Sequence, residues 1–257
     1  MLLKNFELKK DQIRVLIAKD FKLKYNSTAL GFFWSLLMPV FSSVIYYFVF
    51  GIIMRFSVDN YLLYLLSGTF LWQFFDNVVM MNGNVMFNNA LLLKKTSFDR
   101  KLLVWGTFFT ESIHFLLTIP IMFFIMFMYG VHPQWHTAVL NLPVSIILLA
   151  FFSMGLSYIY AALNIYFRDL ERIMMLFMQV WMFMTPIFFP VSIIPEKYMW
   201  IFKCNPMAGI LGIWRDIFYS PGIHWDSWGT LLLISLALFF AGRWIFDKLE
   251  PRFAEMM

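Results

Sequence analysis

Charged residues are scarce in this sequence. Lys, Arg, Asp and Glu make up 14% of its 257 residues, whereas 61% are hydrophobic and 21% are aromatic. Soluble domains average about 45–50% apolar residues, and a soluble core of this length could not bury the excess. The composition therefore predicts an integral membrane protein, all-α in class, with one transmembrane unit rather than two soluble domains.

Cysteine and nucleotide-binding motifs are also lacking. The single cysteine, Cys204, excludes an internal disulfide and a cysteine-based metal cluster. None of the 12 glycines is followed by lysine, which excludes ATP binding through a P-loop in this chain. The opening MLLKNFELKKDQIR carries charges where a signal peptide needs apolar residues, so we expect no cleaved leader. The basic residues form no single patch, so the net charge of +5 does not indicate nucleic-acid binding.

Apolar runs of about 20 residues, the length that crosses a bilayer, recur along the chain. Six spans are predicted, at 31–54, 61–81, 103–128, 138–162, 172–190 and 228–246. An even number of spans places both termini on one side, and 16 of the 20 Lys and Arg residues fall on that side. Because positive charge marks the cytoplasmic side, we predict cytoplasmic termini.

The N-terminal segment has a different pattern. Apolar residues between Ile13 and Phe21 recur at helical spacing, while lysines and an arginine take the other face. A basic amphipathic helix of this kind lies in the membrane interface rather than across the bilayer. We therefore predict a cytoplasmic interface helix within residues 1–28, followed by a transmembrane domain at 29–257.

Two cytoplasmic loops carry unusual charge. The loop NNALLLKKTSFDRKLL, residues 88–103, has its own apolar run and predicts a short helix along the membrane surface. The turn YFRDLERI, residues 166–173, concentrates Arg168, Asp169, Glu171 and Arg172 within five positions. Alternating signs suit contact with another protein, but a solvated turn with positive-inside charge explains the pattern equally well.

Residues 186–222 combine prolines and glycines with apolar stretches that are too short to span. Non-helical backbone at membrane depth is tolerated only against protein or water. We therefore predict two short re-entrant helices before the last span, which form a lid on the extracellular side. The residues expected to shape this gate are Trp200, Pro206, Gly209, Gly212 and Trp214.

Polar residues recur on one helical face in four of the predicted spans. In the first span Ser42 and Tyr46 belong to such a stripe, and its mixture of serines and aromatics favours a water-filled pathway. In the third span Glu111 and His114 favour helix–helix hydrogen bonds, either with each other or with a polar group of the second span.

An enzyme of lipid-linked sugars is an alternative with little support in the sequence. Asp76, Glu111 and His114 fall in the same half of the membrane, so they form no proton relay across it. The acidic pair Asp169 and Glu171 is the nearest match to a metal-binding motif, but arginines flank it. We therefore predict no catalytic residue and no metal site in this chain.

Several motifs occur in a recognisable order: AKDFKLKYNSTALGFFWSLLMPV, NIYFRDLERI, TPIFFPVSIIP and KCNPMAGILGIWRDIFY. Together they resemble the membrane subunit of type-two ABC exporters, and within that family the polysaccharide-export branch of O-antigen (Wzm-type), capsule and teichoic-acid permeases. The sequence departs from the family at Ala18–Lys19, where an arginine often precedes the aspartate.

The resemblance implies a permease of the bacterial inner membrane that works as a homodimer with two copies of an ABC ATPase. ATP and Mg would be bound by the ATPase, and this chain would hold no cofactor. The substrate would be an undecaprenyl-linked polysaccharide. The alternative is an exporter of the same family whose substrate is a drug or a small lipid. The turn at 166–173 would lie near the polymer entrance. The loop that couples to the ATPase would use Leu92, Lys94, Lys95, Phe98, Arg100 and Lys101.

A sliding sugar polymer would be recognised by aromatic faces and neutral polar groups. Any single aromatic ring in a membrane helix is equally well explained by packing or by an interfacial belt. The candidate pathway residues are Phe33, Trp34, Ser35, Ser42, Tyr46, Tyr47, Trp181 and Phe183.

Overall fold

The computed structural model describes residues 2–25, 33–56, 58–95, 98–132, 135–167, 169–219 and 225–256, which form helices joined by short loops and turns and contain no strands. Short 3₁₀ turns follow α8 and α11. The helices are α1 (Leu2–Tyr25), α2 (Phe33–Tyr46), α3 (Tyr61–Gly83), α4 (Val85–Asn88), α5 (Ala90–Lys95), α6 (Lys101–Met128), α7 (Trp135–Tyr166), α8 (Leu170–Phe183), α9 (Met199–Lys203), α10 (Pro206–Arg215), α11 (Trp225–Leu249) and α12 (Phe253–Met256).

Four helical stretches in the described residues are long and apolar enough to cross a membrane. They are Leu36–Ile53, Lys101–Met128, Thr137–Tyr166 and Trp228–Arg252. The first joins α2 to a π-helical continuation at Tyr47–Ile53. These four stretches agree with the first, third, fourth and sixth predicted spans.

The second and fifth predicted spans look different in the structure. Helix α3 is long, but Gln73, Asp76 and Asn77 lower its hydropathy, and it lies in the middle of the bundle against α6 and α7. Helix α8 ends at Phe183, whereas the apolar pattern predicts a span to residue 190. Pro186 disfavours helical backbone at the residue before it, which explains the early end.

Helices α7 and α11 form the most extensive helix pair. A Cβ atom on Gly242 would lie 2.2 Å from the carbonyl oxygen of Gly155. The two helices can therefore approach this closely only because both residues lack a side chain. Close approach at small residues is a common way for helices to associate within membranes. This pair forms one wall of the bundle.

Helix α1 packs lengthwise on the first half of α6. Leu16 is buried against Gly106, and Phe21 meets His114 with ring centroids 4.9 Å apart. A helix therefore occupies most of residues 1–28, and Leu16 and Phe21 pack on protein. Its place in the membrane interface stays a prediction. We call the part of the molecule where α1, the first half of α6 and the end of α11 meet the α1 end of the bundle. The part where α10 meets α3 and the loop after α8 is the α10 end.

Candidate functional site

A cavity of about 420 Å³ lies between α2, α3 and α8. Its polar lining consists of neutral hydroxyl and amide groups with one carboxyl group. These residues are Ser42, Tyr46, Thr69, Gln73, Gln179 and Asp76. The polar stripes of the first two predicted spans are thus brought together in one cavity.

The remaining lining of this cavity is rich in methionine. Met38, Met80, Met175, Met178 and Met182 surround the polar groups. Methionine is unbranched and polarizable, and it adapts its shape to different neighbours. Such a lining suits a ligand whose surface varies as it passes.

Helix α2 is held at the cavity by a few specific contacts. The hydroxyl groups of Ser43 and Thr69 lie 2.9 Å apart and join α2 to α3. The Tyr46 ring meets Phe188 edge-on, with centroids 4.5 Å apart. These contacts turn Ser42 and Tyr46 toward α3 and leave the other face of α2 uncovered.

That uncovered face continues across α8. Phe33, Trp34 and Tyr47 are exposed on α2 and its continuation, and Phe183 is exposed at the end of α8. In α8 only Met178 is buried. The cavity therefore opens beside a broad apolar surface that has no partner in the single chain.

Trp181 has a different role from the other predicted pathway residues. Its ring packs against Trp72, Phe75 and Phe152, and its indole N–H donates to Asn205 Oδ1 at 2.9 Å. It therefore anchors α8 to the start of α10. Ser35 belongs to α2, but its side chain lies outside the described residues.

Asn205 begins α10 and binds the loop that follows α8. Its Oδ1 accepts from the Met207 amide, while its Nδ2 donates to Met184 O and to Thr185 Oγ1, both at 3.0 Å. Pro206 occupies the first turn, where no amide donor is needed. The helix start is thus fixed by one side chain.

The predicted gate residues lie in unlike surroundings. Trp214 is fully buried and donates to Ser67 O at 3.0 Å, and Gly209 packs against Leu231 of α11. Gly212 faces open space, and Trp200 on α9 is 62% exposed. Helix α10 is therefore built into the bundle, whereas α9 is only peripheral.

Arg215 at the end of α10 is the most heavily bonded side chain at this end. Its guanidinium donates to backbone carbonyl oxygens of Tyr64 (3.1 Å), Ile187 (2.8 Å) and Pro186, and to Ser67 Oγ. The same group lies 3.5 Å from the centre of the Tyr64 ring. One cation therefore joins α10, α3 and the TPIFFP segment.

At the α1 end, the predicted coupling residues divide into two groups. Lys94 is exposed on α5, while Leu92 and Phe98 pack partly against the core. Arg100 donates to Glu250 O at 2.9 Å, and Lys101 lies 2.6 Å from Asp247. The last two residues thus hold the C-terminal part of the chain. The side chain of Lys95 lies outside the described residues.

The charged turn before α8 makes an inward contact through Glu171. Glu171 Oε1 accepts from Asn84 Nδ2 at 2.7 Å, and Asn164 Nδ2 donates to Asn84 Oδ1 at 3.1 Å. Asp169 and Arg172 are exposed, and Arg168 lies outside the described residues. This turn is therefore joined to the junction of α3 and α4.

Glu111 of α6 is buried and bonded from three directions. Asn77 Nδ2 donates to it at 3.0 Å, Lys24 Nζ lies 2.9 Å away, and His114 Nδ1 lies 3.4 Å away. The prediction that Glu111 pairs with His114 or a second-span polar group is confirmed. The contact with Lys24 was missed, because 87 positions separate the two residues in sequence.

The sequence interpretation also missed Gln179 and Arg215. Gln179 is the only polar residue in the part of α8 that follows Arg172, and this isolation is the signal that would have found it. Arg215 stands next to Trp214 in an apolar helix, and a charge in such a stretch needs a buried partner.

Comparison with known proteins identifies related chains. Residues 11–219 match the family model described as ABC-2 type transporter. The chain is 36% identical over 249 residues to the O-antigen export system permease protein RfbA of Klebsiella pneumoniae, covering 96% of this chain and 95% of that protein. It is 29% identical to the protein of the same name from Myxococcus xanthus over 93% of both chains. It is 21% identical to the polysialic acid transport protein KpsM of Escherichia coli, over 90% of this chain and 92% of that one.

Proposed function

Because this chain belongs to the ABC-2 type transporter family, as a membrane subunit, we propose that it is the permease of an ATP-driven polysaccharide exporter, with O-antigen as the substrate. The observation that carries the proposal is the similarity to O-antigen export permeases along almost the whole chain. The more distant similarity to a polysialic acid transport protein supports the wider class of polysaccharide substrates.

The cavity between α2, α3 and α8 supports a neutral, hydroxyl-rich substrate. Its hydroxyl and amide groups can exchange hydrogen bonds with sugar hydroxyls, while the methionines and Trp72 provide apolar contact. Among the described residues that line the cavity, Asp76 is the only one with a carboxyl group. A lining with so few charges favours a long neutral polymer over an ion.

The chain would act as a homodimer. The uncovered apolar faces of α2 and α8 flank the cavity, and a second copy placed against them would close the cavity into a channel. Exposed apolar area of this extent indicates an interaction surface or lipid contact. The substrate would be linked to undecaprenyl diphosphate.

The proposed topology has six spans with both termini in the cytoplasm. Helix α3 would be the second span, with its polar groups shielded by the bundle, and α8 with the following TPIFFP segment would be the fifth. Helices α9 and α10 would be re-entrant on the extracellular side. The concentration of Lys and Arg at the α1 end supports this orientation.

Energy would come from two copies of a separate ABC ATPase, which bind ATP and Mg. The exposed Lys94 on α5, together with Leu92, Lys95 and Phe98, would form the coupling contact in each protomer. Arg100 and Lys101 would support that contact indirectly, by fixing the C-terminal segment. The turn at 166–173 would lie beside the polymer entrance.

The proposal is tested by copurifying the chain with its partner ATPase in proteoliposomes and measuring ATP hydrolysis with different substrates. An undecaprenyl-linked O-polysaccharide should stimulate hydrolysis severalfold, whereas a capsule polymer, a short-chain lipid and a cationic drug should not. Stimulation by the drug or the small lipid alone would refute polysaccharide export. Conversion of a lipid-linked sugar by the isolated chain would instead identify an enzyme.

A further inference from the structure

A second large cavity, of about 890 Å³, lies between α1, α6 and α11 and shares no lining residue with the cavity described above. Its wall is apolar along α6, and α1 adds two more apolar side chains. The apolar lining consists of Ile13, Ile17, Leu102, Trp105, Phe109, Ile113 and Leu116. Phe109, Ile113 and Leu116 are exposed in the single chain.

The apolar wall has the length of a lipid chain. From Leu102 to Leu116 it extends along α6 for about 21 Å, at 1.5 Å per residue. Half of a bilayer's hydrocarbon core is about 15 Å thick. The groove is therefore long enough to hold an acyl chain of one leaflet along its whole length.

Positive charge gathers at one end of this groove. Five basic side chains line it: Lys9, Lys10, Arg14, Lys101 and Arg243. Asp99 pairs with Lys9 at 2.8 Å, and Asp247 lies 2.6 Å from Lys101 and 3.9 Å from Arg243. Five cations against these two carboxylates leave an excess of three positive charges.

Lys10 and Arg14 account for most of the uncompensated charge. Both are exposed on α1, one helical turn apart, and neither forms an ion pair within the described residues. Lys9 and Lys101, in contrast, are held by carboxylates near the start of α6. An anion at the mouth of the groove would therefore meet Lys10 and Arg14 without displacing an existing pair.

We propose that this groove binds one anionic phospholipid of the surrounding bilayer. Lys10 and Arg14, with Arg243 opposite on α11, contact the phosphate, and one acyl chain follows α6 from Trp105 to Leu116. Basic pockets between membrane helices recognise anionic headgroups in this way, and guanidinium groups bind phosphate with paired hydrogen bonds. The lipid would fasten α1 to α6 and α11. The proposal requires only that the chain lies in a membrane, and it is independent of the exported substrate.

The test is native mass spectrometry of the full-length chain, with defined lipids added during delipidation. Dioleoyl phosphatidylglycerol should bind and dioleoyl phosphatidylcholine, with identical chains, should not. Glycerol 3-phosphate tests the headgroup alone and should not compete with phosphatidylglycerol for the groove. Undecaprenyl phosphate is the other lipid of the system with a phosphate headgroup, and it should bind more weakly than phosphatidylglycerol.

The charge dependence is tested with the double variant Lys10→Gln/Arg14→Gln. Each basic residue near an anionic headgroup contributes roughly fivefold in affinity, so phosphatidylglycerol binding should fall by about 25-fold. The matched control Lys22→Gln/Lys203→Gln removes two exposed lysines outside the groove and should bind within twofold of the wild type. Ile113→Trp fills the apolar wall with every charge intact and should also reduce binding.

Equal binding of phosphatidylglycerol by Lys10→Gln/Arg14→Gln and by its control would overturn the proposal. So would equal binding of the two dioleoyl lipids to the wild type, or tighter binding of undecaprenyl phosphate. If the double variant fails to fold, the wild-type lipid comparison and Ile113→Trp decide the question by themselves.

Discussion

The two ends of the bundle hold their charged groups in different ways. At the α1 end cations meet carboxylates, as in Lys24–Glu111 at 2.9 Å and Lys101–Asp247 at 2.6 Å. At the α10 end Arg215 is bonded to backbone carbonyl oxygens and a hydroxyl, and it forms no ion pair with any carboxylate in the described residues. One end relies on pairs of side chains and the other on a cation enclosed by backbone.

This difference has a mechanical consequence. An exposed pair such as Lys9–Asp99, which joins α1 to the start of α6, can separate with each group hydrated individually, so this contact breaks at modest cost. Arg215 keeps its bonds only while α3, α10 and the TPIFFP segment stay in place. We therefore expect the α1 end to adjust during a transport cycle and α10 to move only together with its neighbours, so that an extracellular lid would have to open at α9.

The largest effect is expected from Arg215→Met, which removes the cation and leaves its buried carbonyl acceptors unpaired. We expect a loss of about 3–5 kcal/mol in the free energy of unfolding, since each unpaired buried group costs about 1–3 kcal/mol. Arg215→Lys should recover only part of the lost stability, because an ammonium group lacks the planar, forked set of N–H donors that a guanidinium group has. The measurement is unfolding in detergent, followed by tryptophan fluorescence.

The control for this variant is Arg252→Met, an exposed arginine near the C-terminus. It should change stability by less than about 0.5 kcal/mol. If Arg215→Met were no less stable than the control, the α10 end would not depend on its enclosed cation, and the contrast between the two ends would fail.

A smaller loss is expected from Glu111→Leu at the α1 end. The substitution removes the acceptor of Asn77 and Lys24, and we expect a cost of about 1–3 kcal/mol. Lys24 is partly exposed, so water can replace its partner, whereas the carbonyl oxygens around Arg215 belong to the buried residues Tyr64, Pro186 and Ile187.

Glu111→Gln keeps an acceptor in place and should lose less stability than Glu111→Leu. It should also retain export in a cell-based assay, because Glu111 is expected to be structural. A stable, well-assembled Gln variant without any export would show that the carboxyl group has a mechanistic role.

The partly exposed pair Lys101–Asp247 should contribute less again. A double-mutant cycle with Lys101→Ala and Asp247→Ala should give a coupling energy of about 0.2–1 kcal/mol, as is typical for solvent-exposed pairs. The coupling should decrease at 1 M salt, where the screening length is about 3 Å. A coupling that is large and independent of salt would mean that the C-terminal contact is as enclosed as the Arg215 site.

The smallest effect is expected at Asp20 of α1. Partial burial raises the pKa of Asp20, while the neighbouring Lys19 opposes the change. A carboxyl group with a raised pKa costs stability above that pKa, and the cost disappears as the pH falls through it. Asp20→Asn should therefore raise the melting temperature at pH 7 by no more than about 2 °C and have no effect at pH 3. A lower melting temperature at pH 7 would show that Asp20 acts as a stabilising anion.

The long apolar helices could be predicted from the sequence because each is visible as a run of about 20 apolar residues. The polar faces of the first two predicted spans were also predictable, since Ser42 and Tyr46 in one, and Gln73 and Asp76 in the other, repeat at helical intervals. Their meeting in one cavity was not predictable, because it depends on how α2 is rotated against α3.

Contacts between distant segments could not be predicted. Nothing in the local pattern around Lys24 points to Glu111, and nothing around Arg215, which the sequence places in the predicted re-entrant segment, points to its carbonyl partners on α3 and in the TPIFFP segment. The early end of α8 was missed for a related reason. The apolar run continues to residue 190, but Pro186 and the carbonyl bonds to Arg215 hold that segment out of the helix.

The most direct test of the account measures polysaccharide at the surface of cells in which this chain is the only permease of the pathway. Ser42→Trp places an indole in the cavity between α2, α3 and α8, whereas Leu233→Trp adds the same group to an exposed site on α11. With equal amounts of each variant in the membrane, we expect Leu233→Trp to display polymer as the wild type does. Ser42→Trp should retain lipid-linked polymer inside the cell. Normal surface display by Ser42→Trp would contradict the claim that the polymer passes through this cavity.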